Sequence, residues 1–139
     1  MSAFVFYLLS FTWGLPVTLA GAFAALFMRI IGAKCSRVGN CVCFEYGRGW
    51  GGFSLGIFIF TEEGAGKKTK WHEHGHGLQN CVYGPFMIFL VSIPSAVRYW
   101  YRRLKKDKTK LRPYDGIWFE SQATRMGQRQ RFYLSFRKP

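Results

Sequence analysis

The chain has 139 residues, of which 49% are hydrophobic and 19% aromatic, and its 20 Lys and Arg outnumber its 7 Asp and Glu. This length predicts a single domain, over residues 1–139, with a modest core. A basic chain could grip nucleic acid, but the sequence lacks a zinc finger, an aromatic RNP pattern and a helix-turn-helix, so nucleic acid is not an expected partner.

The first predicted element is a transmembrane helix over residues 3–32, where Arg29 is the single ionised side chain. A helix needs about 20 apolar residues to cross the hydrocarbon core, and Pro16 would kink or offset it. A cleaved signal peptide is the alternative, but no Lys or Arg precedes the stretch, which is longer than an h-region. Because Arg29, Lys34 and Arg37 follow the span, the positive-inside rule places the N-terminus outside and the next segment in the cytoplasm.

Residues 41–60 contain two segments rich in β-branched and aromatic residues, CVCFEY and FSLGIFIF, separated by the glycine-rich GRGWGG. This pattern predicts a β-hairpin. The second strand is apolar on both faces, so it is either covered or lies against lipid. Its edge, from Phe53 to Phe60, could also bind an extended substrate through backbone hydrogen bonds.

The four cysteines, Cys35, Cys41, Cys43 and Cys81, form no CxxC pair, so a zinc ribbon is not expected. We expect these thiols to be reduced and mostly packed. A disulfide from Cys35 to Cys41 or Cys43 is the alternative, and it would place that loop in an oxidising compartment.

After a polar loop, TEEGAGKKTK, residues 72–76 read HEHGH and match the HExxH motif. The predicted helix for this motif covers residues 70–83. Gly75 and Gly77 each disfavour a helix by about 1 kcal/mol, so a His- and Gly-rich loop is the alternative. Metal binding would offset that penalty.

The spacing of this motif predicts a metal site. Residues four apart lie about 40° apart around a helix axis, so His72 and His76 can bind the same ion. Glu73 lies about 100° further round, where it can take a proton from metal-bound water as a general base. His74 faces away and is not expected to be a ligand.

Residues 84–101 are again apolar, interrupted by Gly84-Pro85 and by Pro94. A plain outward crossing would leave the basic run RRLKKDKTKLR outside, against the positive-inside rule. We therefore expect a re-entrant or surface-lying segment that breaks near both interruptions and returns to the cytoplasmic side. A second membrane span is the alternative.

Residues 102–139 form a basic C-terminal part that is expected to attract anionic lipid headgroups. A hydrolytic zinc site usually has three protein ligands and one open position, so a third ligand is needed. Gln79 and Val82 exclude a metzincin, which would have Gly and His at these positions.

The third ligand is expected from the C-terminal part. Asp107 lies in a Lys run, where a solvated counter-charge is the usual role. Glu120 is favoured, because Trp118 and Ala123 predict a helix with a packed face, and Asp115 is the second choice. Surface carboxylates without a ligand role are the alternative for both.

The stretch HEHGHGLQNCVYGPFMIFLVSIPS, followed by YDGIWFESQATRMG, resembles an uncharacterised family of small bacterial membrane proteins. Its elements are an HExGHxxQ motif, a GP-hydrophobic-PS segment and a later Trp-x-Glu-x-x-Ala-x-x-x-Gly element. More distantly, a His pair with a separate Glu is similar to the gluzincin peptidases. The resemblance covers residues 71–127 and implies His72, His76 and Glu120 as zinc ligands and Glu73 as the base.

Two residues depart from this pattern. Lys70 is charged where zincin helices usually have an uncharged residue. Thr124 stands where the glutamate helix often has an Asp, so a carboxylate that would support a ligand histidine is missing there. Candidates for the oxyanion donor are Tyr114, His74 and Arg125.

The sequence thus predicts an integral-membrane zinc metallopeptidase of the inner (plasma) membrane, acting on peptides or proteins at the cytoplasmic side. The alternative is a non-enzymatic membrane subunit or scaffold that binds a protein partner or anionic lipid. A metal-sensing or metal-carrying protein that uses Cys81, His74 and Cys41 is a third possibility.

Overall fold

The computed structural model describes residues 1–104 and 116–136, and within them it contains five α-helices and a four-stranded sheet. The predicted α+β class is therefore confirmed. In chain order the elements are α1 (Ala3–Phe11), α2 (Leu15–Ile30), β1 (Lys34–Val38), β2 (Cys41–Glu45), β3 (Gly52–Leu55), β4 (Phe58–Thr61), α3 (Lys67–Tyr83), a 3₁₀ turn (Gly84–Phe86), a π-helical turn (Ile88–Ser92), α4 (Ile93–Leu104) and α5 (Trp118–Ser135).

The prediction of one transmembrane helix over residues 3–32 is wrong, because α1 and α2 meet at a bend of 92°. Pro16 occupies the first turn of α2, where its missing N–H breaks no helical hydrogen bond. Gly14, just before it, touches α3: a Cβ at this position would lie 2.3 Å from Nδ2 of Asn80. Asn80 also donates a hydrogen bond to the Gly14 carbonyl at 3.3 Å, so packing against α3 fixes the bend.

No helix in the described part of the chain is by itself both long and apolar enough to cross a bilayer. Two bent pairs reach the required length and apolar character together, namely α1 with α2, and residues 67–86 with residues 88–104. The bend of the second pair is 118°.

The predicted hairpin over residues 41–60 is wrong in its pairing. The strand order is β1-β2-β4-β3, with β2 antiparallel to β1 and parallel to β4. The segment FSLGIFIF is itself a hairpin, β3 and β4, joined by Gly56 and Ile57. Gly56 has φ +61°, as the first position of a tight two-residue turn requires. The strand β3 is therefore an edge strand.

The helix α3 is the central element, and its nine residues from Glu73 to Cys81 are all buried. The prediction of a helix over residues 70–83 is confirmed, although the helix begins earlier, at Lys67. It packs most extensively against α5 and also contacts β3, β4 and α1. All four cysteines are free, as predicted, so the alternative disulfide from Cys35 is not formed.

The apolar segment after α3 breaks at Gly84-Pro85, as predicted. Gly84 has φ +54° and lies against Trp13, and the chain then passes through the 3₁₀ and π-helical turns into α4. The second predicted break, at Pro94, is wrong, because residues 88–104 form one helix in which a π-helical turn directly precedes α4. The course of this segment relative to a membrane stays a prediction.

The helix α5 presents a packed face, as predicted, with Phe119, Glu120 and Ala123 all buried, but Trp118, which was expected on this face, is 55% exposed. It approaches α3 unusually closely because both helices have glycine at the contact. A Cβ on Gly75 would lie 1.9 Å from the carbonyl oxygen of Ala123, and one on Gly127 would lie 1.8 Å from that of Trp71. The glycine inside the HExxH motif therefore has a packing role.

We expect Gly75→Ala to lower the free energy of unfolding by about 1–3 kcal/mol, because the added methyl group would force the two backbones apart. The higher helix propensity of alanine offsets only about 1 kcal/mol of this cost. Thermal unfolding would measure the change. Gly66→Ala is the matched control, since a Cβ there has no neighbour within 4 Å. Equal unfolding temperatures in both variants would show that the close approach does not contribute to stability.

Candidate metal centre

Within residues 1–104 and 116–136, one group of His, Cys, Asp or Glu side chains can hold a metal ion. It consists of His72, His76 and Glu120, whose ligand atoms lie within 4.8 Å of one another. Oε2 of Glu120 is 3.0 Å from Nε2 of His72 and 3.3 Å from Nε2 of His76. The two imidazole rings are edge to face, with centroids 4.8 Å apart and planes at 87°. The structure thus brings together the three residues that the sequence predicts as ligands.

The outer nitrogen of His76 is fixed by Gln79, one turn further along α3. Nε2 of Gln79 donates to the carbonyl oxygen of Phe119 at 2.8 Å and to Oε1 of Gln122 at 2.7 Å. Oε1 of Gln79 therefore faces Nδ1 of His76, at 2.7 Å, and accepts a hydrogen bond from it. This contact leaves the Nε2 lone pair of His76 directed at the carboxylate of Glu120.

The outer nitrogen of His72 is hydrogen-bonded to Thr124, whose Oγ1 lies 2.8 Å from Nδ1 and whose hydroxyl can donate or accept this bond. Thr124 thus contacts His72 from the position where the glutamate helix of the resembling family often has an Asp. Sequence reasoning missed both supports, although Gln79 shares a helix face with His76 and Thr124 lies four residues after Glu120, which is the available signal.

Glu120 is fully buried and is positioned from a third helix as well. Ser95, in α4, donates a hydrogen bond to Oε1 of Glu120 at 2.6 Å, a contact that sequence reasoning did not find. Burial alone would raise the pKa of the Glu120 carboxyl, but hydrogen bonds from His72 and His76 hold this pKa well below its usual range. Glu120 is therefore ionised, with Oε2 left for the two imidazoles.

The hydrogen bonds around His76 and Glu120 show that the group of His72, His76 and Glu120 fits a cation. Because Nδ1 of His76 donates to Gln79, its Nε2 can face the ionised Glu120 only with a proton or another positive charge between them. Burial opposes protonation of His76, yet the hydrogen bond to Glu120 raises its pKa overall. Two imidazole nitrogens and one carboxylate oxygen around a positive charge form a donor set that suits a divalent first-row metal.

Glu73 lies beside this group and is almost completely buried, and its Oε2 has no hydrogen-bond partner among the described residues. Burial raises the pKa of Glu73, and the nearby His76 and His72 only partly oppose this shift. The strand β3 passes close by, since a Cβ on Gly52 would lie 3.3 Å from Oε1 of Glu73. A buried carboxylate with a free oxygen and a raised pKa is suited to exchanging a proton with a bound molecule.

His74 points away from the group, as predicted. Its ring stacks on Phe6 at a centroid distance of 5.9 Å, and its Nε2 accepts a hydrogen bond from the backbone N–H of Asn40 at 3.3 Å. Burial lowers the pKa of His74 to about 4, so the ring is neutral. It is therefore not placed to act as an oxyanion donor. Arg125 is exposed on α5.

The alternative sulfur site is not formed among the described residues, where Cys41 and Cys81 pack in the core against Phe6. Burial raises the pKa of the Cys41 and Cys81 thiols, which disfavours the thiolate form that binds metals. The remaining candidates, Asp107, Tyr114 and Asp115, lie outside the described residues.

Comparisons with protein-family models, with curated proteins and with solved structures found no match for this chain. The resemblance to the HExGHxxQ family therefore stays a prediction. The site is defined by its own geometry: two imidazoles and a carboxylate that can hold a metal ion, with a second, buried carboxylate beside them.

Proposed function

We propose that this chain is an integral-membrane zinc metallopeptidase in which His72, His76 and Glu120 bind the ion and Glu73 is the general base. The observation that carries the proposal is the convergence of the three ligand atoms within 4.8 Å, next to the unpartnered oxygen of Glu73. Zinc is the favoured ion because two imidazoles and one carboxylate, with an open fourth position, are a common hydrolytic set for it.

The residues around the group supply the other parts of a hydrolytic site. Zinc in this position would lower the pKa of a water molecule to about 7 and polarise a peptide carbonyl. Glu73 would accept the proton of the water and pass it to the leaving amine. Gln79 holds His76 in the tautomer that directs the Nε2 lone pair inward, and Thr124 would accept a hydrogen bond from Nδ1 of His72 when Nε2 binds the ion. The edge of β3 offers backbone groups to an extended substrate.

Membrane attachment is supported by the apolar surface of the bent pair α1 and α2. Phe4, Phe23 and Ile30 each expose about three quarters of their surface, and further large apolar side chains beside them are at least half exposed: Phe11, Leu19, Leu26 and Phe27. Monomeric soluble proteins rarely expose contiguous patches of this kind. We place this pair and residues 84–101 in the lipid, and the sheet, α3 and α5 on the cytoplasmic side.

Metal content is the first test of this proposal. We expect the protein purified in detergent to contain one equivalent of zinc, measured by mass spectrometry of the metal, and to cleave a peptide library until a chelator removes the ion. His76→Ala should lose both properties. His74→Gln is the control, since His74 lies on the same helix but points away from the group. A native preparation with no affinity for zinc would favour the non-enzymatic subunit instead.

The support of His72 by Thr124 gives a graded prediction. Thr124→Val keeps the shape of the side chain but removes the hydroxyl at Nδ1, so we expect zinc affinity to fall by about 10- to 100-fold. Competition with a fluorescent chelator would measure this change. Ser121→Ala is the control, because the Ser121 hydroxyl bonds only to the Trp118 carbonyl of its own helix. Equal affinities in the two variants would contradict a role for Thr124.

A further inference from the structure

Two cavities meet at Glu73, and their linings differ in chemistry. One cavity, of about 670 Å³, reaches His76, and the other, of about 900 Å³, reaches His72. Five residues line both, namely Trp50, Gly52, Glu73, Tyr99 and Arg103, so the two cavities adjoin beside the metal group. Both volumes lie within or near the range of roughly 300–1,000 Å³ that is typical of ligand sites.

The cavity beside His76, here called the apolar cavity, has walls from three elements. Phe53 and Leu55 come from β3, Met87 and Val91 from the turns after α3, and Trp100 from α4. Met87 and Val91 are 2% exposed, so this wall belongs to the packed core. A large apolar side chain would bind favourably in such a cavity, because binding removes its surface and the surface of the walls from water.

The cavity beside His72, here called the basic cavity, is lined by Lys68 and Arg102, and it shares Arg103 with the apolar cavity. Among the residues that the structure describes, three basic side chains line this cavity against two acidic ones, Glu62 and Glu73, so positive charge exceeds negative charge there. Such a surplus attracts an acidic group and disfavours a basic one.

We infer that the substrate is a peptide with a bulky apolar side chain on one side of the scissile bond, in the apolar cavity, and an acidic side chain on the other, in the basic cavity. This inference rests on the proposed peptidase function. Hydrolysis between the two cavities adds the water oxygen to the carbonyl carbon and breaks the C–N bond. Glu73 carries the proton from the water to the leaving amine, which leaves one new carboxylate and one new amine.

The apolar half is tested with two blocked peptides that differ only in Phe or Ala next to the scissile bond. We expect the full chain with one equivalent of zinc to prefer Phe over Ala by about 10- to 100-fold in kcat/KM. Ala96→Trp narrows the apolar cavity from α4 and should bring this ratio close to one. Val97→Trp adds the same bulk to a neighbouring exposed residue outside both linings and should keep the ratio.

The acidic half is tested with peptides that carry Glu or Lys on the other side of the bond. Lys68→Glu should lower the Glu-over-Lys preference by about three- to tenfold, since it removes one attraction and adds one repulsion. Lys67→Glu makes the same charge change at the same helix end, outside both linings, and should leave the preference as it is.

Binding separates a failure of this inference from a failure of the proposed function. Trp50 and Trp100 line the apolar cavity, so their fluorescence reports binding of the same peptides to the Glu73→Gln chain. A binding preference for Phe without hydrolysis by the wild type would refute the peptidase and keep the apolar cavity as a peptide site. Hydrolysis and binding without any preference would overturn the inference. A fluorescence change with lauric acid but with none of the peptides would assign the apolar cavity to an acyl chain and would also overturn the inference.

Discussion

Glu73→Gln is expected to lower kcat for peptide hydrolysis by about 10²- to 10⁴-fold while zinc binding persists. Glutamine has nearly the shape of glutamate, but its amide cannot accept a proton from water. Because Glu73 is not one of the three residues whose ligand atoms converge, the metal content should stay at one equivalent. Turnover measured on samples of equal zinc content would isolate this effect, and unchanged turnover would assign the role of base to another group.

The stability of the same variant provides an independent readout. Burial raises the pKa of Glu73, so in the metal-free protein the protonated form stabilises the fold. That contribution is complete below the usual pKa of a glutamate and is lost as the pH rises through the raised value. We therefore expect metal-free Glu73→Gln to unfold at a higher temperature than the wild type at neutral pH, and the difference to shrink in acid. A destabilised variant would mean that Glu73 has a structural partner.

Glu120→Ala is expected to have the largest effect on both metal binding and folding. Zinc affinity should fall by more than the roughly 10- to 100-fold typical of outer-shell supports, because a direct ligand is lost. The metal-free protein should lose about 3–5 kcal/mol of stability, as is usual when one partner of a buried ion pair is removed. Zinc titration and thermal unfolding with and without a chelator would measure the two effects.

Glu63→Ala is the matched control for the Glu120→Ala variant. Glu63 pairs with Lys34 at 3.2 Å on the surface, where the Lys34 side chain is 74% exposed. Such a pair contributes at most about 1 kcal/mol. If Glu120→Ala kept its zinc, the third ligand would have to come from elsewhere, and Asp107 and Asp115 would be the next candidates.

The sequence predicted the two histidine ligands well because their spacing is local, and it offered only three downstream carboxylates for the third ligand. His72 and His76 lie one turn apart on a helix, and Glu120 lies on a helix whose packed face is readable from Ala123. The supports of this group were not predictable in the same way. Contacts such as those of Gln79 and Thr124 depend on the rotation and separation of α3 and α5, which the close helix contact decides.

The wrong predictions for residues 3–32 and for the strand pairing in residues 41–60 have a shared cause. The prediction for residues 3–32 and that for FSLGIFIF each treated an apolar run as one element, because hydropathy marks what is apolar and not where the backbone turns. Gly14 and Gly56 mark the turns. Each lies so close to a neighbouring element that a Cβ would clash, with Asn80 in one case and Thr18 in the other. Only tertiary contacts identify such glycines.

The metal group joins residues that are far apart in the chain, since His72 and Glu120 are separated by 48 positions. During translation both histidines leave the ribosome well before α5 is made. The nascent chain therefore has only two of the three ligands, and Glu73 is made before the metal site is complete. The three ligands can therefore converge only after synthesis has passed α5 and this helix has docked, so the proposed peptidase could not cleave other chains before that point.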